Sequence, residues 1–357
     1  MRFAGSHNRR GFAALIAAAA LVCTGCTVTN IEAVPADGGY ELYLPEVTSA
    51  DSGLRQEFSK NPSESHDYWS DPERRDNAEG MDYKAPDNGL PPGPGDPATG
   101  AYVPATQAMP SNPSGYGDVP KAEVFDRQGL AASSFGRLYF TFDGGETYVC
   151  SATVVNSKSG DIVATAGHCV AETNGSGKLA ESVVFIPGDK DNGRETPYGT
   201  WAAVEMVVPQ QFIDKARTDD QGQLLSDEGW NYDFAFLRME EQDGKSIQDV
   251  TGAQGIAFGT PVNYLTQIGY PSAPPFDGRD EFMCASTSFS SNWQGGYAHR
   301  CDMTQGASGG AWMSDYDAKT GTGYLVAVTS TVDATGMANS PVLGQTALGL
   351  YNQLDQG

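Results

Sequence analysis

Three short segments carry side chains of complementary chemistry. Thr165-Ala166-Gly167-His168-Cys169 sets an imidazole beside a cysteine, directly after the strand-like Ile162-Val163-Ala164. Imidazole titrates near neutrality, so a ring held in a fixed orientation can take and return a proton. Asn231-Tyr232-Asp233-Phe234-Ala235-Phe236-Leu237 puts a carboxylate at the head of an apolar run that reads as a buried strand. A buried acid needs a hydrogen-bond donor. The imidazole N–H of His168 would serve, and the acid would in turn fix the ring's tautomer. The third segment runs from Cys301 to Trp312 and holds Ser308 among Gly306, Gly309 and Gly310. Glycines let the backbone expose a hydroxyl and turn N–H groups, here those of Gly306 and Ser308, toward a developing oxyanion. Together the three would support attack of a serine oxygen on a carbonyl carbon. Taken singly, each also has an ordinary structural reading: a packed histidine, a strand-start acid, a glycine-rich turn.

Several other chemistries are disfavoured. The histidines are His7, His66, His168 and His299, and no two stand at metal-ligand spacing, so no metal or other cofactor is expected. Gly306-Ala307-Ser308-Gly309-Gly310 also satisfies the G-x-S-x-G elbow of α/β-hydrolases. Those enzymes place their histidine after the serine, and none follows Ser308. The formal net charge of −23 repels a phosphate backbone, so nucleic acid is not an expected partner.

The elements that must position these residues are strands. Gly136–Phe142 and Thr147–Val155, joined by Asp143-Gly144-Gly145, read as a hairpin. Further strands are expected at 161–166, 182–186, 201–208, 233–238, 265–270, 311–314 and 324–330, with a short helix at 343–354. Many short strands separated by glycine-rich turns predict an all-β sandwich or closed barrels.

The first 26 residues read as an export signal. Arg9 and Arg10 precede an apolar run from Phe12 to Cys23 that is too short to span a bilayer. Asn8-Arg9-Arg10-Gly11-Phe12 is similar to a twin-arginine signal. Cys23-Thr24-Gly25-Cys26 looks like a lipobox with Cys23 in place of the usual leucine, which would make Cys26 a lipidated first residue. The protein is therefore expected outside the cytosol, secreted or held to the outer face of a bacterial membrane only by that lipid. Outside the cytosol Cys150, Cys169, Cys284 and Cys301 can form disulfides in three pairings. The local pairing, Cys150–Cys169 and Cys284–Cys301, closes two short loops, each contributing about 3 kcal/mol. Residues 27–124 lack apolar periodicity and are acidic, with 15 of the 36 residues from Ala85 to Pro120 being proline or glycine. They are expected to form a disordered linker, with Asn88–Gly95 as a tether, or a pro-segment.

Taken together, the three segments resemble the chymotrypsin-like serine peptidases. Thr165-Ala166-Gly167-His168-Cys169 matches that family's histidine motif. Asp233-Phe234-Ala235-Phe236-Leu237 is similar to its aspartate strand, and Gly306-Ala307-Ser308-Gly309-Gly310 to its nucleophile loop, in the family's order. The likeness covers residues 125–357 and is nearest to the bacterial V8-like, glutamyl-endopeptidase-like branch. It implies two six-stranded antiparallel β-barrels with the site in the cleft between them, and a serine endopeptidase acting on protein or peptide substrates. It also implies His168, Asp233 and Ser308 as catalytic residues, Gly306 and Ser308 as oxyanion donors, and a substrate pocket near Asp302, Thr304, Thr329 and Ser330. Thr329 or Ser330 would also donate to Asp233. Two departures matter. Ala307 replaces the aspartate that receives a new N-terminus in the animal digestive branch. Val328 lies where the glutamate-specific branch tends to carry a histidine, so preference for acidic residues is not implied. The alternative is a catalytically silent surface binding module on the same fold.

Overall fold

Strand Phe135–Phe142 sets the pattern of the first half. Leu138, Phe140 and Phe142 point into the main core, whereas Tyr139 belongs to a separate cluster with Trp69, Val149 and Ile186. This period of two gives the strand one face for a barrel interior and one for its outside. In the computed structural model, which describes residues 53–58, 60–85, 95–142, 145–226, 228–292, 294–333 and 335–356, six such strands close a ring. Phe135–Phe142 pairs with Glu146–Val154, then come Ile162–Thr165, Ala235–Met239, Trp201–Val208 and Glu181–Pro187, which returns to Phe135–Phe142. All six pairings are antiparallel. The described residues belong to one compact unit, Leu42–Gly357. The export signal, Cys26 and residues 88–94 of the expected tether lie outside the described residues.

The second half is an all-β partner built differently. A seven-stranded sheet runs Ala101–Val103, Gly255–Phe258, Thr322–Val328, Ala311–Asp317, Leu265–Gly269, Phe282–Ser286, Val119–Val124. Its Gly255–Phe258 and Thr322–Val328 strands pair in parallel. A smaller sheet runs Ser290–Ser291, Tyr297–Arg300, Met337–Ser340, Thr331–Val332. Together with the first ring these strands make up the expected two-barrel fold, the strands of the second half falling in two sheets that meet at Thr329 and Ser330. There the backbone changes partners, Thr329 pairing with Gly309 and Gly310 and Ser330 with Asn339, while the two hydroxyls meet Trp312 and Asp233.

The expectation of a disordered 27–124 does not hold for its described part. Leu54–Glu57 adds a strand to Trp201–Val208. Helix Pro62–Trp69 starts on a capping box, with Asn61 and Glu64 satisfying each other's backbone N–H groups at 3.1 and 3.0 Å. Its last residue, Trp69, is buried against Tyr139 on the barrel's outer face. Asp96 is buried under helix Gln345–Asp355 and accepts from the N–H groups of Gly344, Thr346 and Ala347 at 2.9, 2.9 and 3.0 Å. Isolated anchors such as Trp69 and Asp96 produce no periodicity, so composition alone concealed them.

Candidate active site

His168 sits in a single turn, Gly167–Cys169, that follows strand Ile162–Thr165. The disulfide Cys150–Cys169 ties that turn to strand Glu146–Val154, and Cys284–Cys301 forms as well, both in the expected local pairing. Asp233 closes the short turn Trp230–Tyr232 just before strand Ala235–Met239. Both side chains are fully buried. Asp233 Oδ1 accepts the His168 backbone N–H at 2.8 Å, and Oδ2 lies 2.8 Å from His168 Nδ1. Ser330 Oγ donates to the same Oδ2 at 2.5 Å. Three donors offset the burial of one carboxylate. Because an ionised carboxylate only accepts, Nδ1 carries the ring hydrogen and Nε2 is left as the acceptor. Nε2 is buried and has no hydrogen-bond partner among the described residues.

Ser308 comes from the second half, on a loop tied to the first barrel. Its carbonyl accepts from the Ser151 N–H at 2.7 Å, while Ser151 Oγ donates to the Gly306 carbonyl at 2.9 Å. Gly309 has φ +74°, and a Cβ there would collide with Thr165 Oγ1 and the Ser151 carbonyl. Only glycine lets the loop lie this close to the strand that leads to His168. The Gln305 carbonyl accepts from the Ser272 N–H at 2.7 Å and the Ala307 carbonyl from the Gly310 N–H at 2.9 Å. In a planar trans peptide the following N–H points the opposite way. The N–H groups of Gly306 and Ser308 therefore turn away from these partners, and neither makes a hydrogen bond among the described residues. No hydrogen bond joins Ser308 Oγ to His168 here; such contacts often tighten only when substrate is bound.

The expected pocket residues gather in one cleft of about 470 Å³ that Ser308 also lines. Their side chains have different occupations. Ser330 Oγ holds Asp233 and accepts from Gln294 Nε2 at 2.8 Å. Thr329 Oγ1 accepts from Trp312 Nε1 at 3.0 Å and from Gln267 Nε2 at 3.1 Å. Thr304 Oγ1 donates to the Ala273 carbonyl at 2.8 Å. Asp302 is exposed, and its Oδ1 accepts the Ala122 N–H at 2.6 Å. Cys150, His168 and Cys169 also cluster, but both sulfurs are in the disulfide and offer no thiolate to a metal. The other histidine of this region, His299, is buried 4.6 Å from the Trp312 ring, and burial lowers its pKa to about 4. Sequence reasoning missed Ser151, Gln294, Trp230 and Tyr83. Trp230 and Tyr83 pack their rings against His168, at 6.1 and 4.9 Å. Gln294 bridges Ser330 and the Trp230 carbonyl, the latter at 2.8 Å. None of the four lies in a motif, although Ser151 is adjacent to Cys150.

No protein-family model matches the sequence, and no curated protein matches it. Solved structures do. A thermostable serine protease, AL20, from an extremophilic microorganism is 30% identical with a TM-score of 0.54, over 64% of this chain and 99% of its own. The protease Anisep from Arthrobacter nicotinovorans is 26% identical with a TM-score of 0.55, over 66% of this chain and 100% of its own.

Proposed function

The chain belongs to the chymotrypsin-like serine proteases, and from that premise we propose that it hydrolyses peptide bonds through an acyl-enzyme formed on Ser308. His168 and Asp233 complete the catalytic triad. Ser308 Oγ attacks the scissile carbonyl carbon as its proton passes to His168 Nε2. The carbonyl oxygen gains the negative charge and is received by the N–H groups of Gly306 and Ser308, one such donor being worth about 3–4 kcal/mol of transition-state stabilisation. The tetrahedral species collapses, the C–N bond breaks, and the imidazolium returns its proton to the leaving amine. Water then attacks the acyl-enzyme by the same route and frees Ser308. Asp233 stays ionised throughout, and Ser330 supports it as a positioning residue.

The observation that carries this reading is the buried Asp233 carboxylate, which holds His168 through both its Nδ1 and its backbone N–H, at 2.8 Å each, and is itself supported by Ser330 Oγ. We extend the proposal to an exported enzyme, in which residues 1–26 are a signal and 125–357 the peptidase domain, with 27–124 a tether if Cys26 is lipidated and a pro-segment if it is not. The two disulfides agree with an oxidising compartment. Ser308→Ala is expected to abolish casein hydrolysis while near-ultraviolet circular dichroism stays unchanged. Undiminished cleavage by that variant would refute the assignment.

A further inference from the structure

Residues 81–85, preceded by Glu79 and Gly80, line the cleft that Ser308 also lines. At one end, Glu79 pairs alongside Tyr148. Its N–H donates to the Thr147 carbonyl and its carbonyl accepts the Val149 N–H, both at 3.0 Å. Gly80 lies directly on the Gln305–Gly306 peptide. A Cβ on Gly80 would fall on the Gly306 nitrogen, so a side chain there is incompatible with the seated segment. The Tyr83 ring meets His168 edge-on at 4.9 Å and Trp230 at 5.2 Å. Burial raises the Tyr83 hydroxyl pKa to about 12, so the ring stays neutral in this position. Lys84 threads between Gln223 and Val332, paired in parallel with each. Its N–H donates to the Gly222 carbonyl at 3.0 Å, and its carbonyl accepts from the Leu224 N–H at 3.1 Å and from Gln223 Nε2 at 2.7 Å. Ala85 then enters the main core.

The docking mode is that of an extended peptide. Thr331–Val332 is the outermost strand of the small sheet, with one edge unpaired by other strands and facing the cleft. Such an edge recruits extended backbone. The segment is not seated as a substrate, however. An acyl group poised for attack puts its carbonyl oxygen on the N–H groups of Gly306 and Ser308. Here a glycine Cα covers the Gly306 nitrogen, and no carbonyl of the segment accepts from either N–H among the described residues. The segment therefore covers the oxyanion donors and the histidine without presenting a bond to cut.

We propose that Glu79–Ala85 is a built-in inhibitory occupant of the substrate cleft, and that the protein is restrained until this segment is displaced. The proposal rests on the reading of Ser308 as nucleophile, and one experiment separates the two. Full-length wild type, Tyr83→Ala, Gly80→Ala and Tyr83→Phe are treated with a fluorophosphonate probe, and the rate of labelling at Ser308 is measured. Amide hydrogen exchange at Lys84 and Leu224 is followed in parallel as a readout that needs no activity. Tyr83→Ala and Gly80→Ala, which act at different points, are each expected to label at least tenfold faster than wild type and to lose protection at Lys84. Tyr83→Phe keeps the ring and should behave as wild type. Wild type that labels as fast as both variants, or whose Lys84 and Leu224 amides exchange freely, overturns the inhibition and leaves the nucleophile assignment standing. A variant with freely exchanging Lys84 whose Ser308 takes no probe contradicts the nucleophile assignment, and the inhibition falls with it.

Discussion

The half that carries His168 and Asp233 is one continuous hydrogen-bonded ring of strands, whereas the strands of the half that carries Ser308 fall in two sheets. In the first, every ring strand has a neighbour on both sides, and the histidine turn is bolted to one of them by Cys150–Cys169. In the second, the chain passes from one sheet to the other at Thr329 and Ser330, and Thr331–Val332 lies at the end of its sheet. The difference matches two kinds of work. A proton carrier has to be held to within a fraction of an ångström, which a closed barrel with a buried apolar core supplies. A peptide-binding wall needs backbone groups not already paired, which an open edge supplies. The same edge that would bind a substrate can bind a segment of the chain itself, and Lys84 lies on it.

The contrast can be broken most severely at Asp233. Asp233→Asn keeps the side chain's size but lets Nδ1 of His168 become an acceptor. Peptide hydrolysis is expected to fall by about 10⁴-fold in kcat with the fold retained. A loss below tenfold, measured on a chromogenic peptide, would mean that His168 does not depend on this carboxylate.

The two disulfides give a finer comparison. They span similar separations, 19 and 17 residues, so removing either by paired alanine substitution should cost a similar stability of about 3 kcal/mol in denaturant unfolding. Their kinetic effects should differ. Loss of Cys150–Cys169 loosens the histidine turn and should lower kcat. Loss of Cys284–Cys301 loosens a cleft wall and should raise KM more than it lowers kcat. The reverse pattern would break the division of labour between the halves.

A further effect concerns pH. His299 has a pKa lowered to about 4, so it is stable as the neutral ring in the fold. An unfolded histidine takes its proton near pH 6.5. Between about pH 6.5 and 4 the unfolded state binds the extra proton, and the folded state loses up to about 3 kcal/mol as pH falls. His299→Phe should reduce this acid sensitivity, whereas equal slopes for the two proteins would remove His299 as its source.

Legibility in the sequence followed the physics of each element. The strands with alternating or continuous apolar residues were readable, and Trp201–Val208 was placed at its observed ends. Gly255–Phe258 and Phe282–Ser286 were missed because four or five residues between turns give too little pattern. The His168, Asp233 and Ser308 segments stand out in the sequence because the chemistry proposed for them needs particular residue types in a particular order. Ser151 and Gln294 were not, since a serine and a glutamine become informative only once folding puts them beside Gly306 and Ser330. Low complexity in residues 85–120 hid the fact that neighbouring residues 79–85 pack onto the site.

Mapping the covalent adduct of a fluorophosphonate probe tests the central claim most directly. The account predicts a single modified residue, Ser308, in wild type and in Tyr83→Ala, with labelling lost in His168→Ala. Modification at another serine, or Ser308 labelling that persists at an unchanged rate without His168, would contradict it.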